Sequence, residues 1–251
     1  MLIAAAFCPH PPLLVPEATG VPGPGDAELA RLRTACLRAV AALTAEVPDL
    51  IAVVGGASRT AEYPPDALAS LAEFGIPVTL GPPLPAADPA AADPPVLPLS
   101  LAIGKWLLAS TAQPSSGPAV AWWGIATAAS QAQCQALGEK IAALALRVAV
   151  LAMGDGPGCR ARGAPGAVDP AADRYDDQLA AALAEPDPGV LAALDPQASD
   201  DLYVSGRTAW QVTAGAAGRD DFTAALGYAA VPFEVSYFVA NWRLTSPPRA
   251  D

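Results

Sequence analysis

Histidine is almost missing from this chain: His10 is the one histidine among 251 residues. One subunit therefore cannot build a metal site that needs two imidazole ligands. Basic residues are also few, since 14 lysines and arginines stand against 25 aspartates and glutamates and give a net charge of −11. Binding to nucleic acid or to an anionic membrane requires clustered cationic side chains, so we expect neither partner.

Long uncharged apolar runs are absent too. The nearest approach is 141–153, which Arg147 interrupts and which falls short of the ~20 residues that cross a bilayer. The run at 2–7 is too short for the apolar region of a secretory signal. CxxC spacing is missing among the four cysteines, which are Cys8, Cys36, Cys134 and Cys159. These features favour a reducing, cytoplasmic location.

Apolar runs that alternate with helical patterns predict an α/β fold. Short uncharged runs are typical of buried parallel strands, and they occur at 2–7, 50–54, 119–125 and 147–152. Helical patterns lie at 26–46, 99–110, 128–144, 170–184, 188–194 and 196–217, the last broken near Ser205 and Gly206. Alternation at 223–230 and 234–242 predicts a terminal hairpin. We expect one three-layer α/β/α domain over 1–251, with a largely parallel central sheet and a C-terminal β-hairpin.

The stretch after the second predicted strand is less regular. We expect a weak helix at 65–74 and a short strand at 77–80. Residues 81–98 are rich in proline, alanine and aspartate and therefore predict a loop. A loop of this length is unusual in a compact domain, and it fits a lid, an interface arm or a segment that docks a partner.

Three loops directly follow predicted buried strands, at 8–12, 55–59 and 154–160. Because the carboxyl ends of parallel strands share one edge of a sheet, we expect these loops to line one pocket. His10 and Asp155 are the candidate catalytic residues, and the prolines around His10 make its turn stiff. The side chains that the loops bring to the pocket are those of Cys8, His10, Ser58, Arg59, Asp155, Cys159 and Arg160.

Each candidate also has a plain structural explanation. His10 could bond a carbonyl and hold its own turn, act in a site without metal, or bind a metal. Asp155 lies in a Gly-Asp-Gly turn, where aspartate commonly bonds its own backbone. Arg59 and Arg160 could clamp an anion or lie on the solvated surface.

Four segments resemble one known family. The first is a strand followed by Pro-His-Pro-Pro-Leu-Leu-Val-Pro-Glu at 9–17, and the second is Asp-Leu-Ile-Ala-Val-Val-Gly-Gly-Ala at 49–57. The others are Ala-Met-Gly-Asp-Gly-Pro-Gly at 152–158 and the closing stretch 228–240. Together they resemble the LigB-like family, the catalytic B subunits of class III extradiol ring-cleavage dioxygenases and their relatives. The match is to an Ala- and Pro-rich, actinobacterial-type branch.

The resemblance implies a chemistry that uses Fe(II) on two histidines and a carboxylate, with a further histidine as acid or base. His10 matches the first ligand. Ala57 stands at the second histidine and Gly158 at the acid–base histidine. Asp201, with Asp200 beside it, is the best match to the carboxylate. Two ligands, His10 and Asp201, do not retain iron, so no cofactor is expected.

A rebuilt site around His10 is the alternative. Cys8, Asp155 and Cys159 could add donors, and a thiolate among them would favour a single Zn(II) over a single Fe(II).

The sequence therefore predicts a divergent class III extradiol dioxygenase-like protein that has lost most of the iron site. It is expected to bind a small molecule or a protein partner without catalysis. The alternatives are an active metal-dependent oxidoreductase with the rebuilt site, and an interaction protein whose segment 81–98 docks a partner. Related proteins often dimerise, so the resemblance adds a homodimer as an expectation.

Overall fold

Nine strands and seven helices are present in the part of the chain that the computed structural model describes, residues 1–18, 25–82, 95–111, 117–158 and 169–245. The strands are β1 Leu2–Cys8, β2 Leu50–Ala57, β3 Ala61–Tyr63, β4 Ala69–Ser70, β5 Thr79–Leu80, β6 Ala119–Ala126, β7 Val148–Met153, β8 Phe222–Ala230 and β9 Tyr237–Leu244. The helices are α1 Asp26–Ala45, α2 Leu99–Ala109, α3 Gln131–Ala142, α4 Pro170–Ala184, α5 Pro188–Ala192, α6 Pro196–Asp201 and α7 Arg207–Ala217.

Seven strands form the central sheet, in the order β3-β6-β2-β7-β1-β9-β8. The neighbours β6, β2, β7 and β1 are parallel, so their carboxyl ends lie at one edge of the sheet. Every residue of β1 and β7 is buried. A strand with helices over both faces has no solvated side, and this is why these segments read as continuous apolar runs rather than alternating ones.

Helices cover both faces of this sheet. One core contains Leu32 and Cys36 of α1 together with Leu101 of α2. The other core contains side chains of α3, α4, α5 and α7, including Leu179 and Trp210. The prediction of an α/β fold with a largely parallel central sheet is thus confirmed, and the helices form the two outer layers.

The terminal hairpin is confirmed and joins the central sheet. β8 pairs antiparallel with β9, and β9 pairs antiparallel with β1. The second strand starts at Tyr237 instead of residue 234, because Pro232–Glu234 forms a 3₁₀ turn. Phe233 and Glu234 have left-handed φ values of 56° and 63°, which a continuing strand does not allow.

The helix expected at 65–74 is wrong. Ala69–Ser70 is the strand β4, and Ala72–Phe74 is a 3₁₀ turn that Gly75 ends with a φ of 74°. Pairing of β4 with β5 competes with helix formation here, since the backbone of Leu71 bonds both Val78 and Ile76. Of the loop expected at 81–98, residues 83–94 lie outside the described residues.

The helical predictions hold with shifted ends. The helix expected at 128–144 begins at Gln131, because Ser130 caps it and exchanges hydrogen bonds with Gln133 in a capping box. The segment 196–217 is two helices, α6 and α7, separated where the break near Ser205 and Gly206 was expected. Among the described helices, none combines the length and the apolar character of a membrane span.

Gly138 of α3 offers a test of the closest helix contact. A Cβ at this position would lie 2.6 Å from the backbone nitrogen of Ala216 and closer still to the carbonyl oxygen of Val212, both in α7. We expect Gly138→Ala to lower the free energy of unfolding by about 1–3 kcal/mol, although alanine alone favours a helix. Urea denaturation measures it. Glu139→Ala, on the exposed side of the same helix, should change stability by less than about 0.5 kcal/mol. A stabilised Gly138→Ala would contradict this packing.

Tyr175 of α4 predicts how stability changes at alkaline pH. Burial raises the pKa of its phenol from 10.0 to about 12. Between these values the unfolded chain loses the proton and the folded chain keeps it, so this contribution is complete below pH 10 and declines above it. The slope reaches about 1.4 kcal/mol per pH unit. Urea unfolding across this range should show a shallower decline for Tyr175→Phe. Tyr203→Phe, at an exposed position, is the control and should match the wild type.

Candidate functional site

The loops after β1 and β7 meet at the carboxyl edge of the sheet. The backbone N–H of Gly154 donates to the carbonyl oxygen of Cys8 at 2.9 Å and extends the β1–β7 pairing by one residue. One step further, the backbone N–H of His10 donates to Oδ1 of Asp155 at 2.8 Å. The structure therefore brings together the two candidate catalytic residues, and Asp155 bonds the neighbouring loop instead of its own turn.

The imidazole of His10 lies beside the same carboxylate. Its Nδ1 is 3.6 Å from Oδ1 of Asp155, within ion-pair range for a protonated ring but too long for a hydrogen bond. Nδ1 is buried and has no hydrogen-bond partner among the described residues, while the two side chains are 12% and 17% exposed. His10 does not hold its turn through a ring hydrogen bond at Nδ1. A small movement would let Nδ1 donate to Asp155 and direct Nε2 elsewhere as an acceptor.

The negative charge of Asp155 acts on neighbours that lie on the α1 side of the sheet. Burial raises the pKa of the Tyr237 phenol, and the Asp155 carboxylate raises it further. The pKa of the Cys36 thiol is raised by burial, then by the adjacent Cys8 and by Asp155. The Tyr237 phenol and the Cys36 thiol therefore stay neutral near pH 7, and Cys36 is poorly suited to bind zinc as a thiolate.

A third loop, which the sequence did not place in the site, fixes Asp155 from the other side. The backbone N–H of Asp155 donates to Oγ of Ser205 at 3.2 Å, and that of Gly206 donates to the carbonyl oxygen of Asp155 at 3.0 Å. Gly154 is required here, because any Cβ would overlap the Cα of Gly206. The break in the helical pattern at Ser205 and Gly206 was the signal for this loop.

Two further segments, one directly before β9 and one at the end of α6, enclose the 154–158 loop. Gly156 donates to the carbonyl oxygen of Ser236 at 2.9 Å, and Ser236 donates back to Pro157 at 3.0 Å. Gly158 donates to the carbonyl oxygen of Leu202 at 2.9 Å. The loop that carries Asp155 is thus held by backbone hydrogen bonds on both sides, so its carboxylate has a defined position.

The other residues that the sequence assigned to the site differ in how far they are exposed. Cys8 is buried, whereas Ser58 and Arg59 are exposed beyond the end of β2. Asp201 is exposed, and its Oδ1 accepts a hydrogen bond from Nε2 of Gln197 at 2.9 Å within α6. The carboxylate beside His10 is that of Asp155. Cys159 and Arg160 lie outside the described residues.

The donor set at this edge does not match the iron centre implied by the family resemblance. Ala57 ends β2 and is buried, and Gly158 is exposed. Neither position supplies a donor side chain. Within the described ranges, no three or more His, Cys, Asp or Glu side chains are grouped so that they could hold a metal ion.

Comparison with known proteins adds information on the fold. No protein-family model matches this chain, and no curated protein matches it. Among solved structures, the uncharacterized protein JW3007 from Escherichia coli K12 is similar, with a TM-score of 0.53 and 14% sequence identity. The similarity covers 96% of this chain and 99% of that chain. At this identity it shows a shared α/β fold and nothing about chemistry.

Asp155 provides the test of this loop arrangement. Asp155→Ala removes the acceptor of the His10 N–H, and the loss of this partly buried hydrogen bond lowers the free energy of unfolding by about 1 kcal/mol or more. Asp155→Asn keeps an oxygen at that position and should lose clearly less. Chemical denaturation measures both variants. Asp201→Ala, at the exposed carboxylate of α6, is the control and should stay within about 0.5 kcal/mol. Equal losses for the alanine and asparagine variants would contradict this geometry.

Proposed function

We propose that this chain is a divergent, LigB-like protein that does not catalyse ring cleavage. In this proposal it binds a small molecule or a protein partner at the carboxyl edge of the sheet, beside His10 and Asp155. The observation that supports it is the donor set: one imidazole with one carboxylate, where Ala57 and Gly158 replace the family's other histidines.

Ligand count argues against retained iron. A ferrous centre of this type needs two histidines and a carboxylate and keeps further positions open for its substrates. Here Oδ1 of Asp155 already accepts the backbone N–H of His10, and the nearby Cys36 thiol is held neutral. His10 and Asp155 together are one ligand short of the set that this chemistry requires.

The same pair is suited to direct binding. Both side chains are partly exposed, and they offer an imidazole and a carboxylate at the edge where parallel sheets bind their ligands. Backbone hydrogen bonds hold the Asp155 loop before any ligand arrives. A preformed pair of this kind loses little conformational entropy on binding.

Metal content and ring opening test the proposal. The full chain is purified without chelators, its metals are quantified, and catechol is offered as substrate after anaerobic incubation with Fe(II). We expect far less than one Fe or Zn per chain and no ring-opened product in the absorbance spectrum. Stoichiometric metal that is lost in His10→Ala, accompanied by catechol opening, would establish the active metalloenzyme instead. Asp201→Ala is measured alongside it. If the wild type holds metal and this variant does not, Asp201 is a metal ligand.

A thermal-shift screen tests the binding role. Small polar compounds that raise the Tm of the wild type are expected to lose that effect in His10→Ala and Asp155→Asn. Glu139→Ala, on the exposed side of α3 and outside the predicted pocket, is the control and should respond like the wild type. Compounds that stabilise the His10→Ala variant equally well bind elsewhere and contradict the proposed site.

A further inference from the structure

The first turn of α7 is buried without a cap. Arg207, Thr208 and Ala209 are at most 3% exposed, and the N-cap residue Gly206 supplies no side-chain hydrogen bond. Within the described ranges, the backbone N–H groups of these three residues have no hydrogen-bond acceptor. These groups carry the positive end of the helix dipole, and a buried helix start normally satisfies them.

A second buried group in the same turn also lacks a partner. The hydroxyl of Thr208 is buried and makes no hydrogen bond to any residue that the structure describes, whereas that of Thr213 in the same helix donates to the carbonyl oxygen of Ala209 at 2.8 Å. Side chains of an α-helix tilt toward its N-terminus, so Thr208, the second residue of α7, leans toward the uncapped end. The unpaired hydroxyl therefore lies in the same helical turn as the three unpaired N–H groups.

A buried positive charge lies in this turn. The guanidinium of Arg207 donates to the carbonyl oxygens of Thr127 and Ala129 and to Oε1 of Gln211. All three acceptors are neutral, and no carboxylate pairs with Arg207 in the part of the chain that the structure describes. A buried cation is normally balanced by an anion, so the counter-charge is missing.

Asp155 does not supply that charge, although its backbone contacts Gly206. Its carboxylate bonds His10 and acts on Cys36 and Tyr237, which belong to the core on the α1 face. α7 packs on the opposite face of the sheet. The carboxylate and the helix N-terminus are therefore separate features of the same edge.

We propose that the N-terminus of α7 binds a small tetrahedral oxyanion, either free phosphate or the phosphate group of a monoester. The three N–H groups and the Thr208 hydroxyl donate to its oxygens, and Arg207 balances its charge. Successive N–H groups of a helix are rotated by about 100° around its axis, so these donors do not lie in one plane, which favours a tetrahedral anion over a planar carboxylate. The site is independent of the binding role proposed for His10.

Inorganic phosphate is the probe, added to the full chain and compared with sodium chloride at equal ionic strength. We expect a saturable rise in Tm and a heat of binding by calorimetry. In Thr208→Val the affinity should fall about tenfold to a hundredfold, because one hydrogen bond to a charged acceptor is lost. Without phosphate this variant should be as stable as the wild type or more so, because it deletes a hydroxyl that has no partner.

Three further variants serve as controls for phosphate binding. Thr208→Ser retains the hydroxyl and should retain phosphate binding. Thr213→Val removes a bonded hydroxyl elsewhere on α7 and should lose stability but not affinity for phosphate. His10→Ala should bind phosphate normally, which separates this proposal from the preceding one.

Three results would overturn the proposal. The first is a rise in Tm with phosphate no larger than with chloride, as expected if buried water alone satisfies the turn. The second is an unchanged affinity for phosphate in Thr208→Val. The third is binding of acetate as tight as that of phosphate. Phenyl phosphate identifies the source of the anion. Tighter binding of this monoester than of phosphate supports a phosphorylated ligand, and equal binding supports the free ion.

Discussion

Parallel pairing of β1 with β7, and of β7 with β2, is the constraint from which the other features of this molecule follow. It places the ends of three buried strands side by side, and the hydrogen bond from Gly154 to Cys8 continues the ladder into the loops. The contact between His10 and Asp155 is the next step of the same register. If the strands slipped by one residue, every side chain would change face and this contact would disappear.

Charge is distributed unevenly across this edge. On the α1 face, burial and the Asp155 carboxylate raise the pKa of the Tyr237 phenol and of the Cys36 thiol, which disfavours further negative charge there. On the opposite face lie a buried guanidinium and a helix N-terminus, whose positive charge no carboxylate of the described residues balances through an ion pair. An acidic chain thus has two local environments of opposite sign on opposite faces of its sheet, and the backbone of the Asp155 loop contacts the start of α7. They suit ligands of different chemistry.

The fold depends less on particular side chains than these two environments do. A structure with 14% identity shares it over nearly the whole chain, so the architecture tolerates almost complete replacement of side chains. Chemistry depends on a few positions at the strand ends. Ala57 and Gly158 are where the resemblance to LigB-like proteins fails, and both stand on backbone that is otherwise well formed. A scaffold of this kind can carry different side chains, and therefore different chemistry, at the same backbone positions.

The sequence alone determined the fold class and most elements, because buried strands and amphipathic helices carry periodic apolar patterns. It also limited the metal chemistry, since one histidine can be counted without a structure. It failed at 65–74, where pairing of β4 with β5 outweighs local helical preference. It placed His10 and Asp155 at one edge of the sheet but could not show that they are in contact, nor reveal the uncapped turn at Thr208. Those features depend on strand order and on which groups lack partners, and such long-range contacts exist only after the chain has folded.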